Sequence, residues 1–201
     1  MKKIILTILT IFTALSVNIS AEELNITKNT ISINFDFTKK LGLASNQFAV
    51  WVETEKGILV KNLFVTDFTA GKGWEKRPES LPLWRKTVKD ADIDGISSAT
   101  PKSGKVQLQW DIKNENGEPV EKGVYKIFIE ANIKWKNTVL FTCEIKVDDN
   151  ITIGKITEKI SGKDYNKQTL ITNIEIKFYS CRDVMKNSYY IRIKIFFSFK
   201  K

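Results

Sequence analysis

Histidine is missing from all 201 residues, and that absence excludes more chemistry than any motif supports. It removes triads with an imidazole base, imidazole metal ligands, and the one side chain that ordinarily titrates near neutrality. Glycine-rich phosphate-loop spacing is absent as well. After the first 17 residues no run is apolar enough to cross a membrane. A basic footprint is also lacking, despite a formal charge of +9. Lys2 and Lys3, with six basic residues against one acid after Cys181, account for most of it and leave residues 22–181 near +2. A nearly balanced domain offers nucleic acid little to hold, so no nucleic-acid partner is expected. Thiols are few. Cys143 falls on the apolar side of an alternating run and reads as a small buried hydrophobe, while a Cys143–Cys181 disulfide stays open.

What is present begins with MKKIILTILTIFTALSVNISA, two lysines before an apolar run from Ile4 to Val17 and a small residue at Ala21. This is the layout of a signal peptide cleaved after Ala21; fourteen residues with three threonines and a serine are short for a span. Export follows, to the periplasm or another extracytoplasmic space, with no transmembrane segment in the mature chain.

The remainder reads as strands. Ile31 to Phe37 alternates strictly, and Phe48–Glu53 and Ile58–Thr66 form a hairpin around Glu55-Lys56-Gly57. Ser80 is placed to cap a short helix over Leu81 to Lys89, with Pro82 in its first turn. Val106, Leu108, Trp110 and Ile112 alternate with polar residues, and Val124 to Ala131 is expected to return as the partner strand of a hairpin through Asn116-Gly117. Trp110 and Tyr125 are then core residues on facing strands. Val139 to Val147, a short piece at Ile151 to Ile153 and Leu170 to Tyr179 follow, the last two separated by a polar stretch. About seven strands with almost no helical periodicity predict an all-β fold, an antiparallel immunoglobulin-like β-sandwich with one short helix, preceded by a signal peptide. The division is residues 1–21 signal peptide, 22–181 sandwich, and 182–201 a basic, aromatic tail. That tail alternates from Tyr189 to Phe199 and is either an edge strand or the product of an altered reading frame or read-through.

Few residues suggest chemistry. Asp90, Asp92 and Asp94 lack the closing glutamate of a calcium loop and read as a solvated acidic turn. Trp74, Arg77, Trp84 and Arg85 have stacking and anion-pairing capacity, which makes Trp84 and Arg85 a candidate binding surface. The competing reading is that the tryptophans plug one end of the sandwich.

Together, Leu81-Pro82-Leu83-Trp84, Asp94-Gly95-Ile96-Ser97-Ser98-Ala99-Thr100-Pro101, Gly104, Trp110-Asp111, Gly117, Val120, Gly123-Val124-Tyr125 and Glu130 resemble the predicted periplasmic proteins of domain-of-unknown-function family 2271, over most of residues 31–180. The Trp110 to Tyr125 piece is also similar to the immunoglobulin-like hairpin of flagellar hook-capping proteins. The resemblance implies no established activity, only an association with extracytoplasmic flavin and membrane redox systems. Asp94 to Thr100 further resembles the acceptor motif of covalently flavinylated proteins, with Ser98 where that motif usually has glycine. There a flavin transferase esterifies FMN onto the terminal threonine, here Thr100, and Asp94 and Ser97 are the accompanying motif residues. The alternative is a structural loop whose hydroxyls make local turn bonds. The expectation is therefore an exported, non-enzymatic binding or accessory sandwich with no certain cofactor, beside a membrane redox, metal-handling or transport component. Its alternative is an electron carrier with covalent FMN on Thr100. A hydrolase with an unusual carboxylate or serine site stands third, for want of histidine.

Overall fold

A computed structural model of the chain describes residues 29–41, 45–88, 97–98, 101–134, 137–162 and 170–180. The elements are β1 (Thr30–Phe37), β2 (Gln47–Thr54), β3 (Leu59–Thr66), α1 (Asp67–Ala70), a 3-10 turn (Gly73–Glu75), α2 (Pro82–Val88), β4 (Ser97–Ser98), β5 (Gly104–Trp110), β6 (Gly123–Lys134), β7 (Asn137–Val147), β8 (Thr152–Ser161) and β9 (Ile171–Tyr179). They form a three-stranded sheet in the order β5-β1-β9 and a six-stranded sheet in the order β4-β3-β2-β6-β7-β8. All pairings are antiparallel except the short one between β3 and β4. The expected all-β sandwich is what the chain adopts.

Alternation sets the core. Ile31, Ile33, Phe35 and Phe37 of β1 are buried with Phe48, Val50 and Val52 of β2 and Tyr125, Ile127 and Ile129 of β6. Phe48 joins the sheets: its ring meets Phe35 edge-on at 5.6 Å and stacks on Phe64 at 4.8 Å. Such ring pairs add roughly 0.5–1.5 kcal/mol each beyond the area they bury.

The expected central hairpin is not formed. β5 pairs with β1, Ile33 opposite Leu108, whereas β6 lies between β2 and β7 in the other sheet. The cause is at Ile112, whose φ of 57° puts it in the left-handed region and ends the strand's extended path. The Asn116-Gly117 turn exists, with Gly117 at φ 79°, but it closes only a small bridged loop between Lys113 and Pro119. Beyond that loop the chain crosses to the second sheet. Trp110 and Tyr125 are both buried as expected, yet they meet across the sandwich, ring centroids 5.7 Å apart, rather than along a hairpin.

A second correction concerns β8, a full strand where only Ile151 to Ile153 was expected. Its pairing with β7 shifts register where Cys143 and Ile145 face Ile156 and Ile153, so β8 carries the extra residue. The apolar residues of β8 are thus three apart, and the period of two that marks a strand is lost. Cys143 is buried as expected; Cys181 lies outside the described residues, and so does the disulfide question.

Candidate functional site

One sheet face carries more than a sandwich core requires. All six residues from Gln47 to Val52 are buried, so β2 is covered on both sides. Phe48, Val50 and Val52 point into the sandwich. Ala49 and Trp51 point outward and form a second apolar cluster with Val65, Leu81, Trp84 and Val88. Leu81, Trp84 and Val88 are spaced by three and four residues, one stripe of a helix, and that stripe seats α2 on the sheet. The Trp84 indole N–H donates to Asn62 Oδ1 at 2.9 Å, satisfying its polar edge inside the cluster.

The start of α2 has an unusual cap. Leu81, at φ 45°, accepts the first helical bond from Arg85, so it occupies the N-cap position without a side-chain acceptor. Ser80, expected in that role, instead bonds Thr69, their hydroxyl oxygens 2.9 Å apart. Glu130 of β6 supplies the missing acceptor from the sheet. Leu83 N donates to Oε1 at 3.2 Å and Trp84 N to Oε2 at 2.8 Å. The residue is wholly buried. Burial pushes its carboxyl up to about 7, against the opposing pull of the two backbone N–H groups and the Arg85 guanidinium.

Beside α2 opens a groove of about 830 Å³. Its base includes Trp51 and Phe128, their rings nearly parallel with centroids 5.1 Å apart, and Leu140 of β7. Ile58 and Leu83 border it at 62% and 44% exposure, two of the four large hydrophobic side chains that the described structure leaves exposed. Apolar surface is thus concentrated here, as at sites that bind something. Glu53 ties helix to sheet: its Oε1 accepts from the Trp51 indole at 2.7 Å and from the Thr87 hydroxyl at 2.8 Å. Lys86 of α2 and Lys159 of β8 also line the groove. What the arrangement offers is an apolar groove with charged residues along it, and the Thr87 hydroxyl is held by Glu53, which also takes the Trp51 indole.

The residues singled out in the sequence fall around this site unevenly. Trp84 is 1% exposed, beneath the helix on the outer face of the six-stranded sheet and not at one end of the sandwich. Trp74 lies against it, ring centroids 6.4 Å apart, and Arg85 is half-buried. Arg77 turns elsewhere, its guanidinium 5.0 Å from the Phe68 ring centroid. Ser97 and Ser98 run parallel to Val65 and Thr66 at the sheet edge. Asp94 and Thr100 lie outside the described residues, as do Asp90 and Asp92. The groove was not read from the sequence, and Glu130 only as one of the residues that carry the family resemblance. The signal was there: Phe48-Ala49-Val50-Trp51-Val52 and Ile127-Phe128-Ile129 are continuous apolar runs, which belong to strands covered on both faces.

Among the described residues no helix is long and apolar enough to cross a membrane, and no three acidic or cysteine side chains gather as a metal site. No curated protein and no solved structure matches the chain. One family does, described as predicted periplasmic protein, over residues 28–168, a span that takes in every strand except β9, with α2, Glu130 and the whole groove. The chain belongs to this family, DUF2271.

Proposed function

We propose that the protein is an exported, non-enzymatic binding or accessory module whose ligand sits in the groove beside α2. Export would follow cleavage after Ala21, in keeping with the periplasmic description of the family. The observation that carries the reading is the groove itself: about 830 Å³, based on Trp51, Phe128 and Leu140, and bordered by exposed Ile58 and Leu83. Volumes of this order suit a small organic molecule. The test is titration of the mature protein with N-phenyl-1-naphthylamine, a neutral apolar fluorophore. Saturable binding at one site is expected, weakened about tenfold in Phe128→Ala, the loss of roughly 1.4 kcal/mol of apolar contact. Equal binding by Phe128→Ala, with its melting temperature unchanged, would remove the groove from the reading.

A second reading keeps the covalent flavin. It is supported by the Asp94 to Thr100 sequence and by the position of Ser97 and Ser98, two residues of that motif, at the edge of the larger sheet. Asp94 and Ser97 would serve the flavin transferase's recognition, Thr100 would carry FMN, and a membrane redox component would be the electron partner. Co-expression with an extracytoplasmic flavin transferase should add the mass of one FMN, absent in Thr100→Ala and kept in Ser97→Ala. An unmodified mass ends this reading and leaves the binding module intact.

A further inference from the structure

The charges around the groove are not equivalent. Glu53 is the one carboxylate lining it, and its Oε1 is already taken by the Trp51 indole and the Thr87 hydroxyl, an internal strap between β2 and α2. Lys86 and Lys159 are exposed, come from different elements, and make no ion pair with any described residue. Lys159 stands opposite Leu140 in the β7–β8 register, which puts an ammonium next to an apolar residue at the base of the groove. A cation flanking an apolar trough, with its stem lying along hydrocarbon and its head in water, is set to receive an anion whose body is apolar.

Resting on the groove reading, we infer that the ligand is a free amphipathic organic anion: an alkyl body against Phe128 and Leu140, between Ile58 and Leu83, with one carboxylate met by Lys86 and Lys159. The apolar body supplies most of the affinity by leaving water. The carboxylate supplies selection, because partly exposed pairs contribute modestly and are screened by salt. A chain of about twelve carbons is a suitable probe, since its extended length is comparable to the three strand spacings, about 4.8 Å each, that separate β2 from β8.

Displacement of N-phenyl-1-naphthylamine by three probes of equal chain length decides the matter: dodecanoate, dodecyl maltoside and dodecyltrimethylammonium, each below its micellar concentration. Dodecanoate is expected to displace the fluorophore about tenfold more strongly than the neutral probe. That advantage should fall about threefold in Lys86→Gln or Lys159→Gln and vanish in the double variant or at high salt. Both lysines are exposed, so the variants should melt with the parent. Equal displacement by all three probes overturns the anion and leaves the groove reading standing. Preference for the cation also overturns it and makes Glu53 the counter-charge. Co-sedimentation with anionic vesicles without saturable dodecanoate binding overturns the free ligand in favour of a membrane surface. If the fluorophore itself does not bind, the groove reading fails and the inference with it.

Discussion

Glu130 does two things that a solvent-exposed carboxylate cannot. It caps α2 from a neighbouring strand, and it remains protonated well above the ordinary carboxylate range because the charged form has lost its water. The linkage has a definite sign. A carboxyl with a folded-state pKa of about 7 and an unfolded value near 4.5 binds its proton more tightly in the folded protein. Folding therefore gains most from Glu130 below about pH 4.5, and that gain is lost as pH rises through about 7, an effect on the order of 3 kcal/mol across the window. Arg85 and the two backbone N–H groups oppose the shift and keep the charged form tolerable. Glu130→Gln should flatten the fall in stability between pH 5 and 7.5, measured by urea denaturation at fixed ionic strength. An unchanged slope would mean that Glu130 is ionised throughout. Cys143 contributes nothing in this range: burial, with Glu144 beside it, pushes its thiol up to about 11.

At the scale of elements, what the sequence made legible was faces, and what it hid was neighbours. The inward set of β5, Val106, Leu108 and Trp110, follows directly from alternation, because successive side chains of a strand point to opposite sides. Which strand β5 pairs with does not follow. A single left-handed residue, Ile112, converts an apparent hairpin into a crossing between sheets, and β-branched residues give no warning of positive φ. β8 was hidden for the reason that moved its register: the irregularity opposite Cys143 and Ile145 breaks the two-residue period. α2 was legible from Ser80 and from Pro82 in its first turn, but Ser80 is not its cap, and the tertiary acceptor that takes that role leaves no local signature beside Leu81. The site follows the same division. Trp84, singled out for a binding surface, is buried under α2 and does not line the groove, whose lining comes from β2, the turn after it, β3, β6, β7, β8 and α2.

The whole molecule is thus a small sheet and a large sheet closed around one core, with the larger sheet burying a second cluster on its outer face. Of the larger sheet's strands β2 is buried on both faces and serves two packing layers, while β6 and β7 add Phe128 and Leu140 to the outer one. This organisation depends on β5 belonging to the smaller sheet, and that assignment has a direct chemical test. Asn34 and Gln107 are paired in register on the face of β1 and β5 turned away from the core, where both line a shallow polar hollow of about 410 Å³. In an otherwise cysteine-free background, Asn34→Cys with Gln107→Cys should oxidise to a disulfide, since directly opposed residues of antiparallel strands lie about 4.5–5.5 Å apart between Cα atoms. Closing so long a loop should stabilise the fold by up to about 4 kcal/mol through the chain entropy of the unfolded state. Gln109→Cys with Lys126→Cys, a pair that a β5–β6 hairpin could bring together, should stay reduced under the same conditions. Cross-linking of the second pair with none of the first would return β5 to the hairpin, and the two-sheet arrangement that buries Trp110 against Tyr125 across the core would have to be abandoned.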